Sequence, residues 1–222
     1  LPIARAFREP PSKARARESL GLAEDSHVYL ILTGSMGFGH IDDVPEMILA
    51  ADDAASIVVV SGHNEELLAL LEKRYADEPQ LRALGYIDDT MSYMNAADVV
   101  LSKPGGLSST EVAALGRPLV HTPAIPGFEA RNAIFFHKHG MAVSASDEPD
   151  AAALALELVR DGRRAQEMCD AQRRNVDAYA SARIFDYVAA RSGADGRLQG
   201  GAQDDMRGEL LPDGTRDDGQ GR

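Results

Sequence analysis

The sequence predicts an α/β fold, a doubly wound parallel sheet of about six strands. Two observations carry this. Short, continuous apolar runs alternate along the chain with segments whose apolar residues recur at helical spacing. Glycine clusters follow two of the runs at once, as happens where a buried parallel strand turns into its crossover helix.

The first strand is Val28 to Thr33, and Val44, Met47, Ile48 and Ala51 mark the helix after it. Ile57–Val60 is the second strand, and Leu67, Leu68, Leu70 and Leu71 lie on its helix. A short strand is expected at 84–87 and a helix at 88–97, with Met91, Met94 and Asn95 on one side. Residues 98–103 form the next strand, broken by Pro104-Gly105-Gly106, and a helix runs from about Leu107 to a C-cap at Gly116. Strands at 119–122 and 141–144 flank a helix at 128–139. Residues 151–178 are helical, with a break near Asp161-Gly162, and a last helix carries Ile184, Tyr187 and Val188. Residues 1–20 read as a basic lead-in with a short helix, and residues 21–191 as the folded domain. Residues 192–222, rich in Gly and Asp and lacking aromatics, bury too little to offset ordering entropy and are expected to be disordered.

Composition narrows the function. The 222 residues are 44% apolar and 26% charged, with a net charge of −12. That balance argues against a nucleic-acid partner, which would need a basic surface. Cys169 is the single cysteine, so no intrachain disulfide forms, which fits a reducing compartment. No apolar run approaches the roughly 20 residues of a membrane span. Leu1 is no initiator Met, and the chain reads as a piece of a longer protein.

Three segments carry candidate chemistry. Gly34-Ser35-Met36-Gly37-Phe38-Gly39-His40 follows a strand and precedes a helix, where small residues and free N–H groups admit a phosphate. Its G-x-x-G-x-G spacing is not the dinucleotide fingerprint, and His40 and Ile41 replace the Lys and Ser/Thr of a P-loop. A ligand-free tight turn is the plain alternative. The second segment is Ser102-Lys103-Pro104-Gly105-Gly106-Leu107-Ser108-Ser109-Thr110-Glu111. It starts another helix at the same sheet edge, and Glu111, one turn in, can accept two ribose hydroxyls or simply favour a helix start. In the third, Glu129 and Asn132 lie one turn apart after Pro126-Gly127, either for a hydroxyl-rich ligand or as a solvated first turn. His40, His63, His121, His137 and His139 are scattered, and neither a metal site nor a catalytic base is assigned.

Taken together, these segments resemble the C-terminal domain of a GT-B glycosyltransferase. The resemblance covers about Pro2 to Ala190. It is to the family 28-like branch of the monogalactosyldiacylglycerol synthases, the processive diacylglycerol glucosyltransferases and the transferase that makes lipid II. The stretch from Tyr86 to Glu111, ending S-K-P-G-G-L-S-S-T-E, carries it most specifically. The resemblance implies a Rossmann-like half of a two-domain enzyme that binds a UDP-sugar and passes a hexose to diacylglycerol or a related lipid. Gly34, Ser35, Met36 and Gly37 would face the diphosphate, Tyr86 and Ile87 would receive uracil with Met91 nearby, and Gly105, Gly106, Leu107 and Ser108 would line the phosphates. Glu111 would hold the ribose, and Glu129 and Asn132 would lie toward the sugar. Phe128 departs from the family's usual Gln, which leaves the donor sugar open. The resemblance further implies an acceptor domain, bearing the base, outside this chain. It implies no cofactor, a cytoplasmic location and a peripheral hold on the inner membrane face. Other GT-B enzymes such as an epimerase, a non-catalytic nucleotide-sugar sensor, and a dinucleotide oxidoreductase are the rival readings.

Overall fold

In the computed structural model the described residues are 1–34, 42–123 and 127–194. They form one six-stranded sheet in the order β3-β2-β1-β4-β5-β6, with every pairing parallel. The strands are β1 (His27–Leu32), β2 (Ala55–Val60), β3 (Leu81–Leu84), β4 (Val99–Ser102), β5 (Leu119–His121) and β6 (Val143–Ser144). The helices are α1 (Lys13–Leu20), α2 (Val44–Leu49), α3 (Glu65–Arg74), α4 (Thr90–Ala96), α5 (Gly106–Ala114), α6 (Phe128–Lys138), α7 (Glu148–Arg160), α8 (Gly162–Asn175) and α9 (Ala180–Ala194). Two compact units divide the chain, Leu1–Ala182 and Arg183–Arg222. Residues 192–194 end α9, and residues 195–222 of the segment expected to be disordered lie outside the described residues. None of the described helices is long and apolar enough to cross a membrane.

The core sits where the sequence is most continuously apolar. Tyr29, Leu30 and Ile31 of β1 and Val99, Val100 and Leu101 of β4 are fully buried, as expected for central strands covered on both faces. The edge strand β3 differs. It occupies Leu81–Leu84 rather than 84–87, in register with β2 from Ile57↔Leu81 to Val60↔Leu84. Its residues are only partly buried, so Leu-Arg-Ala-Leu shows no continuous apolar run. Ile87 packs against the core from beyond the strand, which gives residues 84–87 their strand-like look. β6 is likewise shorter than 141–144, because Met141 and Ala142, though buried, lead into the strand and the Met141 N–H bonds back to Phe136.

Helix boundaries follow capping chemistry. Asn64, Asp89 and Asp147 each accept a first-turn N–H of α3, α4 and α7. Asp161 ends α7 and caps α8 through the N–H groups of Arg163 and Arg164, so the break at Asp161-Gly162 is a change of helix.

The lead-in is part of the packed unit, with Ile3, Phe7 and Ala16 in the core. Asp98, just before β4, ties it down. Its carboxylate accepts from Lys13, from Arg17 and from the Val28 N–H at 2.7 Å. Arg17, 6% exposed, also donates to the carbonyls of Ala96, Glu24 and Ser26. Burial alone would raise the Asp98 carboxyl, but the bonds from Lys13 and Val28 and the two cations outweigh it and hold the group below its ordinary 3.8. Asp98→Ala should therefore cost about 3 kcal/mol, since it strands a buried guanidinium, measured by urea unfolding. A loss below about 1 kcal/mol would place the pair among solvated ones. With a depressed folded-state value, this contribution is complete above pH 3.8 and disappears as pH falls through the lower folded value.

Candidate functional site

The strand order reverses between β1 and β4, since β1 pairs β2 on one side and β4 on the other. In open α/β sheets the crevice beyond the carboxyl ends at that reversal is where ligands bind. Leu32 pairs with Ser102, so the chains leaving β1 and β4 emerge side by side. The two glycine clusters therefore begin at one edge of the sheet.

A cavity of about 170 Å³ opens there. Leu32 and Gly34 leaving β1, Val60 and Gly62 leaving β2, and Tyr86 and Ile87 after β3 form one part of it. Thr90 and Met94 of α4 and Ser108 and Glu111 of α5 complete it. Gly34 stands at φ +80° with nothing among the described residues within 4 Å of a notional Cβ, so it meets a turn that a side chain would strain. Gly105 has an ordinary φ of −68° and only the Lys103 carbonyl, 4.0 Å away, near its notional Cβ. Its lack of a side chain answers no crowding within the protein. Gly106 is tighter, with Leu1 at 3.1 Å and the Asn132 amide at 3.7 Å.

α5 starts at this edge without a capping side chain, and so does α6 behind Gly127 at φ +116°, among the described residues. Bare first-turn N–H groups supply donors and positive potential for an anion. The hydroxyls of α5 divide by direction. Ser109 is fully buried against His121, 3.0 Å from its Nε2, and Thr110 bonds back to the Gly106 carbonyl at 2.7 Å. Ser108 faces the cavity. His121 itself is a core residue, its imidazole pushed down to about 4 by burial.

Glu111 is half-buried on the cavity wall, and burial alone pushes its carboxyl above the ordinary 4.5. Across the turn, burial lowers the Lys103 ammonium while Glu129 pulls it the other way. Asn132 Nδ2 donates to the Pro104 carbonyl at 2.9 Å, so this amide braces the Pro-Gly-Gly turn from α6. Tyr86, 58% exposed, stacks on His63 with ring centroids 4.5 Å apart.

Of the residues singled out in the sequence, Gly34, Tyr86, Ile87, Ser108 and Glu111 share the cavity wall. Gly105 and Gly106 start α5 beside it, and Leu107 stands exposed. Met91 packs against the core, while Met94 lines the cavity one turn later. Glu129 and Asn132 sit on α6, toward Lys103 and Pro104. Ser35, Met36 and Gly37 lie outside the described residues. Thr90, Met94 and Gly62 were not singled out as ligand contacts. The Ser-Gly end of the second strand and the Met94 stripe were their visible signals.

Comparison with known proteins agrees with this geometry. Residues 28–182 match the glycosyltransferase family 28 C-terminal domain. The processive diacylglycerol beta-glucosyltransferase of Bacillus licheniformis is 32% identical over 170 residues, covering 76% of this chain and 44% of that protein. The chain spans about half the length of the curated relatives it matches. The fold recurs in MurG of Acinetobacter baumannii, with a TM-score of 0.62 at 20% identity over 83% of this chain and 55% of that one. It recurs also in HepE of Anabaena in complex with UDP, with a TM-score of 0.61 at 16% identity over 83% of this chain and 54% of that one. The match over 28–182 decides among the proteins that share this sheet: the chain belongs to glycosyltransferase family 28, and this domain is the family's C-terminal one.

Proposed function

We propose that this chain is the donor-binding half of an inverting glycosyltransferase that takes a hexose from a UDP-sugar and passes it to diacylglycerol or a related lipid. The observation that carries the reading is the cavity at the strand reversal, where an uncapped glycine start meets a half-buried carboxylate. Uracil meets the backbone at Tyr86–Ile87, the ribose hydroxyls donate to Glu111, and the diphosphate lies on the glycine starts. Glu129 and Asn132 lie toward the sugar, Asn132 by holding the turn. Related proteins named as processive diacylglycerol beta-glucosyltransferases support the lipid acceptor.

In the reaction the acceptor hydroxyl oxygen bonds to the anomeric carbon as the bond from that carbon to the phosphate oxygen breaks. The hydroxyl proton goes to a base outside this chain, and the diphosphate leaves with the electron pair. The N–H groups of α5 are aimed at the charge growing there, and the reading needs no separate cofactor. The rest of the protein brings the acceptor, working from the cytoplasm against the inner membrane face.

Calorimetry on this chain should show UDP bound and ADP not bound, with no sugar transfer. Equal binding of the two, or none, removes the reading. Glu111→Gln should weaken UDP by roughly 10- to 100-fold, the value of charge-assisted hydrogen bonds to two hydroxyls. Gly105→Ala should leave stability within about 0.5 kcal/mol, because its backbone angles suit alanine, yet reduce UDP affinity by the methyl placed in the cradle. An affinity unchanged in Gly105→Ala would move the diphosphate elsewhere.

The raised Glu111 carboxyl fixes the sign of a pH effect. Its charged form accepts the ribose hydroxyls, so binding is complete at neutral pH and fades as pH falls through a value above 4.5. UDP-glucose is the probe, since its diphosphate does not titrate in that range. Glu111→Gln should flatten the profile.

A further inference from the structure

α6 has two faces with different work. The inner one carries Phe136, buried in the core, and Asn132, bonded to the Pro104 carbonyl. Residues 128, 131, 134, 135 and 138 fall together within about 120° of arc on a neighbouring side of the helix, and all five are exposed. Phe128 is 85% exposed, Ile134 55% and Phe135 51%. The Arg131 guanidinium lies over the Phe128 ring, 5.9 Å from its centroid, and the Phe135 ring lies 4.4 Å from that of His139. Large apolar side chains grouped this way on a surface mark an interaction site.

We propose that this strip, Phe128, Arg131, Ile134, Phe135 and Lys138, lies flat on a bilayer containing anionic lipid. Charge selects that occupant. The chain carries −12 overall, yet from Thr122 to Ser146 Glu129 is the sole acid in the sequence, and it sits toward Lys103. The exposed strip is thus locally cationic and aromatic on a chain of net negative charge. Rings and an isoleucine enter the headgroup boundary, while the two cations meet lipid phosphates. Because the same helix braces the Pro-Gly-Gly turn, a bilayer on its outer face stands about one helix diameter, ~10 Å, from the donor cradle. A lipid acceptor would then rise beside the sugar it receives. The inference takes its purpose from the lipid-acceptor reading above, but not its test.

The test is sedimentation of the 222-residue chain with sucrose-loaded vesicles, of phosphatidylcholine alone or mixed equally with phosphatidylglycerol. Binding is expected to the anionic vesicles, weakening with salt, and not to the neutral ones. Arg131→Glu with Lys138→Glu should lower the partition by at least roughly 25-fold, about fivefold per cation lost. Phe135→Ser should lower it roughly tenfold. Arg163→Glu, an exposed change on α8, should leave it as it is. No sedimentation overturns the proposal and is the result expected if the strip serves instead to hold the remainder of the protein; equal sedimentation by wild type and the double charge reversal overturns it as well. UDP calorimetry on the same variants keeps the two readings apart, because vesicle binding with no nucleotide binding would fail the donor site alone.

Discussion

The parallel pairing of β1 with β4 is the constraint from which the site follows. These strands are about seventy residues apart in sequence, yet Leu32 lies opposite Ser102. That register brings Gly34 and the Pro104-Gly105-Gly106 turn to one edge. It is held by packing: both strands are buried on both faces, and a slip of one residue would move every side chain into a space shaped for another. Asp98 adds a polar lock at the other end of the pair, since it accepts the Val28 N–H while holding Arg17 and Lys13. A core interaction at the amino end of β4 thus decides how two glycine turns sit at its carboxyl end.

Capping separates helices that close on themselves from those left open. α3, α4, α7 and α8 satisfy first-turn N–H groups with Asn64, Asp89, Asp147 and Asp161. α5 and α6 begin with Gly105 and Gly127 and have no such partner among the described residues. An N-cap carboxylate at either place would neutralise the positive potential that suits an anion. Ser109 and Thr110 lie past the first turn and face inward, which anchors the helix while its start is left to Gly105.

Much of this was legible in the sequence. The order of strands and helices followed from apolar periodicity, and the glycine clusters fell at strand ends as spacing required. What was not legible depended on direction and on neighbours. β3 is an edge strand with one good face, so its pattern is too weak to separate it from the apolar Ile87 that follows. Whether Ser108, Ser109 or Thr110 turned outward depended on His121, twelve residues on, which captures Ser109. Met91 and Met94 shared a helix face in the sequence, but only Met94 lines the cavity, while Met91 packs against the core. Asn132 showed as a polar first-turn residue, and nothing local indicated that its amide would meet Pro104.

The proposed reading, an anionic nucleotide on an acidic chain, is not a contradiction. With a screening length of about 8 Å at physiological salt, most of the −12 is not felt across the domain. What a diphosphate placed as proposed would meet is local: oriented N–H groups at the start of α5, and the Lys103 ammonium at the end of β4, partly balanced by Glu129. Glu111 is the one acid on the cavity wall among the described residues, and it sits where hydroxyls rather than phosphates would lie. Discrimination in that reading comes from where acid is absent, in the first turn of α5 and along the outer face of α6, as much as from where it is present.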